Sequence, residues 1–342
     1  MAAHSATTMR ALDLRAPTAE GVEAAAERLA GQAIRTPLIE DPLINEAVGG
    51  RVLFKAEVLQ RGGAFKFRGA YNFVSQIAPA DRANGVVAWS SGNHAQGVAL
   101  AAAMFDAPAA IVMPKDAPAI KADAVKRFGA EIIPYDRYSE DREAIGRALA
   151  AERGAALAPS YDHPLIIEGQ GTLALEAVAQ AADLGAKIDQ MIFCCGGGGL
   201  AAGGALALEA ASPMTKIFVA EPEGYDDTLQ SLRAGRRIGV DADQPTVFDA
   251  IATPIPGELT FPILFRRGAV GAAVTEAEGA AAIEAAFRRL KLVVEPGGAV
   301  AFAALLAEKI DGRGKTSCVT LSGGNVDAAV FTKLLSKALN AS

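Results

Sequence analysis

Cysteine is scarce in this sequence, with only three residues in a chain of 342, namely Cys194, Cys195 and Cys318. Cys194 and Cys195 are adjacent, so their side chains point to opposite faces of a strand. None of the three has the spacing of metal ligands. We therefore predict that all three are small, buried hydrophobic residues.

An excess of positive charge and long hydrophobic runs are also missing. The chain has 33 Lys and Arg against 39 Asp and Glu, a net charge of −6, whereas nonspecific binding to nucleic acid needs concentrated positive charge. No stretch of about 18 apolar residues occurs, and the N-terminal leader lacks the apolar core of a signal peptide. We therefore predict a cytoplasmic protein with no nucleic-acid or membrane partner.

The composition that remains is that of a globular protein, with 51% hydrophobic and 21% charged residues and no repeat of 20–50 residues. A helix is predicted at 18–29. After it, Ala-rich helical segments separate most of a set of short apolar runs, at 52–54, 86–89, 109–113, 131–134, 190–194, 216–220 and 318–321. This alternation is typical of parallel strands buried on both faces, so we predict an open α/β sheet.

Four consecutive glycines follow the strand predicted at 190–194 and precede a helix, and they are Gly196, Gly197, Gly198 and Gly199. Residues without a Cβ let backbone N–H groups approach an anion, and the positive end of the helix dipole adds to the attraction. No Lys-Ser/Thr pair follows, so the segment is not a P-loop. Because four glycines cost more conformational entropy than a simple turn requires, we favour a phosphate site over a tightly packed turn.

Two other strand ends carry polar residues before a helix. Ser90-Ser91-Gly92-Asn93-His94 follows the strand at 86–89, and Ser322-Gly323-Gly324-Asn325 follows the strand at 318–321. The first segment offers hydroxyls, an amide and exposed N–H groups at a helix start, which can bind a carboxylate as well as a phosphate. Ordinary capping of the helix by Ser91 is the alternative.

Lys66 stands between Phe65 and Phe67 in the segment GAFKFRGA. Desolvation by the two rings would lower the pKa of its ammonium and release an amine for imine chemistry. Composition alone favours the alternative, a solvated surface lysine.

These segments occur together in one order, with GQGT at 169–172 and EPEGYDD at 221–227 among them. From about residue 20 to 340 the chain resembles the fold-type II pyridoxal-phosphate enzymes, and within them the threonine/serine dehydratase and serine racemase group. The resemblance implies a tryptophan synthase β-like fold of open, mostly parallel sheets in two lobes. The compact αβ series at 85–162 predicts a small inserted domain within a large domain of 1–84 and 163–342, and the resemblance suggests a homodimer.

The resemblance also implies a role for each motif residue. Lys66 is the lysine that binds pyridoxal 5'-phosphate as an imine, Asn93 contacts the phenolic oxygen of the cofactor, and Ser322 faces its pyridine nitrogen. Phe65 and Glu295 lie beside the cofactor ring. The phosphate is held by Gly196, Gly197, Gly198, Gly199 and Leu200.

The substrate carboxylate is expected to bind to the turn formed by Ser90, Ser91, Gly92, Asn93 and His94, again by resemblance. Ser91 would lie on the cofactor face opposite Lys66 and act as a second catalytic group. A neutral hydroxyl at the pyridine nitrogen leaves that nitrogen unprotonated, which weakens the electron sink and suits β-elimination better than transamination.

A divalent-cation site is implied at the segment that follows the strand at 216–220. Carboxylates of Glu221 and Asp227 with the backbone carbonyl of Tyr225 could hold Mg²⁺ or Ca²⁺, with water completing the shell. Without the resemblance, N-capping of the next helix by Asp226 or Asp227 is the preferred interpretation.

We predict a pyridoxal-phosphate-dependent ammonia-lyase that converts L-threonine or L-serine into the 2-oxo acid and ammonia. The alternatives at the same site are a serine racemase and a threo-3-hydroxyaspartate dehydratase, and from another class a non-enzymatic phosphate or nucleotide binder. Two departures from the family pattern leave substrate preference open: Gly62-Gly63-Ala64 replaces a common Thr-Gly-Ser, and Glu168 precedes GQGT.

Overall fold

The computed structural model describes residues 15–117, 119–241 and 244–339, and it confirms a mixed α/β fold with parallel sheets. Ten strands form two sheets. They are β1 Leu38–Glu40, β2 Arg51–Ala56, β3 Val86–Trp89, β4 Ala109–Pro114, β5 Glu131–Tyr135, β6 Ala156–Leu157, β7 Gln190–Cys194, β8 Lys216–Pro222, β9 Val270–Val274 and β10 Thr316–Leu321.

The larger sheet has six strands in the order β1-β2-β10-β7-β8-β9, and the smaller has four in the order β5-β4-β3-β6. All neighbours are parallel except β1 and β2, which are antiparallel. Parallel strands require crossovers, and the helices that supply them cover both faces. Strand carboxyl ends therefore meet along one edge of each sheet, where open α/β sheets bind ligands.

Thirteen α-helices lie within the described ranges, and one turn of π-helix at Ala286–Leu290 extends the eleventh. They are α1 Ala19–Leu29, α2 Pro42–Val48, α3 Lys66–Ser75, α4 Asn93–Met104, α5 Ala119–Lys126, α6 Arg142–Arg153, α7 Pro164–Asp183, α8 Gly199–Ala211, α9 Asp227–Ala234, α10 Thr260–Arg266, α11 Glu276–Ala285, α12 Pro296–Leu306 and α13 Ala328–Leu339.

The core of the larger sheet is built on both of its faces. Strand β7 is buried along its whole length, with Ile192 in the cluster on one face and Phe193 in the cluster on the other. The three cysteines are buried as predicted. Strands β1, β6 and β9 were not predicted from the sequence. Each is short or lies at a sheet edge, where fewer side chains must be buried, so its apolar pattern is weak.

The strands of the smaller sheet all lie between Val86 and Leu157. Helix α3, which precedes them in the chain, shares a core cluster with α4 and with strands of that sheet. The division into 1–84 with 163–342 and an inserted 85–162 stays a prediction. Within the described residues no helix is long and apolar enough to cross a membrane.

Candidate active site

The four glycines connect β7 to α8 in a loop that has no room for a Cβ at Gly197 or Gly198. Gly198 has φ +90°, a left-handed conformation that favours glycine. A Cβ on Gly197 would lie 2.4 Å from ring atoms of Tyr161, and a Cβ on Gly198 would lie 2.8 Å from Oγ1 of Thr260. The loop backbone is also fixed by α10, because the Thr260 hydroxyl donates to the carbonyl of Gly197 at 2.7 Å. The result is a bare backbone cradle at the N-terminus of a thirteen-residue helix.

Lys66 begins α3 and directs its amine toward the segment that follows β6. Its Nζ donates to the backbone carbonyl of Ser160 at 2.7 Å and lies 5.2 Å from the ring centroid of Phe65. Burial lowers the pKa of the ammonium from 10.5 to about 8, against the opposing charge of Glu295. Desolvation therefore acts on this amine in the direction expected from its aromatic neighbours.

The loop before Lys66 is paired with the residues that follow β10. The backbone N–H of Phe65 donates to the carbonyl of Ser322 at 3.0 Å, and Ala64 and Gly323 form an isolated antiparallel bridge. Ser322 is 4% exposed. The motif residues Lys66 and Ser322 are thus brought to one place, although 256 positions separate them in the chain (322 − 66).

Asn93 and Glu295 meet at the same place. The amide Nδ2 of Asn93 donates to Oε1 of Glu295 at 2.5 Å. Burial raises the pKa of the Glu295 carboxyl to about 7, while the hydrogen bond from Asn93 acts in the opposite direction. The charge of Glu295 reaches Lys66 as well, so the two titratable groups belong to one site.

The turn from Ser90 to His94 leads from β3 into α4. The Ser90 hydroxyl accepts from the N–H of Gly92 at 3.1 Å, and Ser91 is partly buried in the turn. His94 is buried, with its Nε2 2.9 Å from the carbonyl of Ala158. Burial, with the nearby charge of Lys66, lowers the pKa of His94 to about 3. The imidazole is therefore neutral at physiological pH.

The predicted cation ligands lie at the end of β8 and the start of α9. Both carboxylate oxygens of Glu221 accept backbone N–H groups at the start of α9, from Thr228 at 3.0 Å and Leu229 at 2.8 Å. The helix is thus capped by Glu221, and the alternative of a cap from Asp226 or Asp227 is wrong.

Asp227 is the unsatisfied member of this group. It is fully buried, and neither of its carboxylate oxygens has a hydrogen-bond partner in the structure. Burial raises its pKa to about 8. No cluster of three His, Cys, Asp or Glu ligands was found among the described residues. An ion here would therefore need the Tyr225 carbonyl and water.

Two residues of the site were missed from the sequence, Ser160 and Tyr161. They lie between the small sheet and α7, and their contacts reach Lys66 and the glycine loop respectively. Asp162 holds the same segment in place, because its carboxylate accepts from the N–H of Leu259 at 2.8 Å. The only sequence signal was a polar turn before Pro164, which does not indicate a site.

Glu168 does not belong to the site. Its buried carboxylate binds the guanidinium of Arg15 and accepts from the N–H of Thr18. It anchors the chain that enters α1, so its charge does not bear on substrate preference in the way that the sequence suggested.

Comparison with known proteins agrees with this geometry. Residues 29–323 match the family model described as pyridoxal-phosphate dependent enzyme. The chain is 43% identical over 320 residues to L-threo-3-hydroxyaspartate ammonia-lyase of Saccharomyces cerevisiae, covering 94% of this chain and 97% of that protein.

Two solved structures extend the comparison. A threonine deaminase from T.th. is 41% identical with a TM-score of 0.85, over 91% of this chain and 99% of that one. Maize serine racemase is 35% identical with a TM-score of 0.88, over 96% of this chain and 99% of that one. The chain belongs to the family of pyridoxal-phosphate-dependent enzymes, and within it to the ammonia-lyases and racemases of fold type II.

Proposed function

We propose that the protein is an ammonia-lyase that removes the β-hydroxyl and the amine from small 3-hydroxy L-amino acids. The observation that carries the proposal is the partly buried amine of Lys66, whose pKa is lowered and which lies beside the strand end that carries Ser322. Its Nζ donates to a backbone carbonyl, whereas the buried structural Lys55 pairs with the carboxylate of Glu176 at 2.6 Å, and an imine-forming lysine needs an amine that can become neutral.

The residues present fit pyridoxal phosphate. The glycine loop carries no side chains and ends at the N-terminus of the thirteen-residue helix α8, so its backbone N–H groups can approach a phosphate. Leu200 and the N-terminus of α8 would complete the phosphate site, and Ser322 would contact the ring nitrogen. When bound, the cofactor supplies an electron sink for the charge that develops at Cα.

Lys66 would act as the general base at the Cα proton. The carbonyl of Ser160, which accepts from its Nζ at 2.7 Å, would orient the released amine. An amine with a pKa of about 8 is suited to take a proton near neutral pH. Backbone N–H groups and the Ser90 and Ser91 hydroxyls would hold the carboxylate, and neutral His94 would add no charge there.

The substrate side chain is the finer part of the proposal. L-Threonine and L-serine are supported by the likeness to threonine deaminase, and threo-3-hydroxyaspartate by the relative that is 43% identical. A second carboxylate would need a cation. Lys121 would be that cation, because its charge already acts on Glu295. In the structure its Nζ pairs with Oδ2 of Asp249 at 2.7 Å.

Product analysis with all three amino acids tests this proposal, with D- and L-serine measured in the same assays. The expected result is a 2-oxo acid and ammonia from at least one substrate, with loss of at least about a hundredfold in Lys66→Ala. An absorbance band near roughly 410–420 nm that borohydride removes excludes a non-enzymatic phosphate binder. Retention of activity in Lys66→Ala would overturn the assignment.

Serine racemisation is the second candidate, supported by the likeness to maize serine racemase. Racemisation needs a proton donor on the face opposite Lys66, and Ser91 would supply it. We also propose that Glu221, Asp227 and the Tyr225 carbonyl hold Mg²⁺ or Ca²⁺, because neither buried oxygen of the Asp227 carboxyl group has a hydrogen-bond partner and a bound cation would supply one. A homodimer stays a prediction that sedimentation analysis would test.

A further inference from the structure

A chain of side-chain hydrogen bonds runs through the site from the loop before Lys66 to the start of α12. Asn325 donates from Nδ2 to the backbone carbonyl of Gly62 at 2.6 Å and to Oδ1 of Asn93 at 2.9 Å. Asn93 in turn donates from Nδ2 to Oε1 of Glu295 at 2.5 Å. The sequence assigned no role to Asn325.

The direction of this chain is set at Gly62. A backbone carbonyl can only accept, so the amide of Asn325 must place its NH₂ group there. The same NH₂ group carries a second hydrogen, which reaches Asn93 and requires an oxygen to accept it. Asn93 therefore presents its oxygen to Asn325 and its own NH₂ group to Glu295. Without Asn325, the orientation of the Asn93 amide would depend on Glu295 alone, which only accepts when it is ionised but can donate when it is protonated.

Space for the chain is provided by two glycines. A Cβ on Gly63 would lie 2.5 Å from Oδ1 of Asn325, and a Cβ on Gly323 would lie 2.0 Å from Oε1 of Glu295. The backbone around them is also paired, since the N–H of Gly324 donates to the carbonyl of Gly63 at 2.9 Å. The missing side chain at Gly63 and the paired backbone thus allow Asn325 to reach this loop.

We propose that Asn325 is a positioning residue that fixes the Asn93 amide as a hydrogen-bond donor toward the cofactor. The proposal rests on the proposed function, in which Asn93 contacts the phenolic oxygen. An amide nitrogen has two hydrogens, so Asn93 can donate one to Glu295 and the other to that oxygen. A reversed amide would offer an oxygen instead and would destabilise the anionic form of the phenol.

Asn325→Ala and Asn325→Asp test the proposal in the cofactor-loaded protein. Alanine removes the anchor. Aspartate keeps the shape but cannot donate, so it repels the Gly62 carbonyl and attracts the NH₂ group of Asn93, which favours the reversed amide. We expect roughly tenfold weaker cofactor binding, and a shift of absorbance from about 410–420 nm to shorter wavelength, larger for aspartate.

A double-mutant cycle separates positioning from a general structural role. If Asn325 acts through Asn93, then Asn325→Ala should add nothing to the spectrum or affinity of Asn93→Ala. Asn45→Asp is a matched control, because the Nδ2 of Asn45 also donates to a side-chain oxygen, Oε1 of Glu40, but Asn45 lies in α2. It should change neither readout, whatever it does to thermal stability.

The outcomes distinguish two failures. A normal spectrum and affinity in Asn325→Ala, or effects that add to those of Asn93→Ala, would overturn the positioning role alone. No change in Asn93→Ala itself would overturn the placement of Asn93 at the cofactor, and the positioning role with it. If alanine at 325 lowers the melting temperature too far for measurement, the aspartate variant and the same cycle give the answer.

Discussion

Lys66 in the cofactor-free protein should bind pyridoxal phosphate at a pH where ordinary lysines react poorly. Only the neutral amine adds to an aldehyde, and burial lowers the pKa of Lys66 from 10.5 to about 8. At pH 7 the neutral fraction is then about one tenth, compared with roughly 0.0003 for an unperturbed lysine. The attachment rate per amine should therefore be roughly 300-fold higher.

The assay is stopped-flow absorbance of the apoprotein mixed with pyridoxal phosphate between about pH 6 and 10. The logarithm of the rate should rise with unit slope and level off near pH 8. Glu295→Gln should move the midpoint to lower pH, because the charge of Glu295 raises the pKa of Lys66. Lys66→Ala gives the background from exposed lysines such as Lys187.

A midpoint near about 10 in the wild-type protein would show that the amine of Lys66 is solvated, and the reasoning from burial would be refuted. A midpoint that does not move in Glu295→Gln would refute the electrostatic contact between the two groups.

Three further predictions concern other parts of the site. Ser91→Ala should abolish serine racemisation and lower elimination far less, and an equal loss of both would assign Ser91 to binding. Mg²⁺ at about 100 times its Kd should raise the melting temperature by several degrees after EDTA treatment. Asp227→Asn should remove that response while Asp226→Asn keeps it, and a response retained in Asp227→Asn would exclude the cation site. Gly197→Ala should weaken cofactor binding at least about tenfold, because its Cβ would lie 2.4 Å from the Tyr161 ring. Equilibrium dialysis would measure the affinity, and an unchanged value would contradict the assignment of the glycine loop to the phosphate.

The fold class could be predicted from the sequence because parallel strands leave a strong signal. β7 is buried along its whole length and four of its five residues are apolar, and the helix that follows it is rich in alanine. The edge strands β1 and β9 contact one neighbour each and need less burial. Their patterns were too weak to be recognised.

The sequence by itself also determined the local chemistry of two segments. Four glycines before α8 can only give a bare backbone at a helix N-terminus, and Lys66 keeps its aromatic neighbours in any fold. These are properties of adjacent residues, so they need no tertiary contact.

Contacts between distant segments were decided only by the tertiary structure. Ser160 reaches Lys66, Asn93 reaches Glu295, and Asn325 orients Asn93. Each contact depends on hydrogen bonds whose geometry is set by how the two sheets and their crossovers pack. A polar residue in a turn carries no mark of its future partner, which is why the arrangement of the site had to come from the fold.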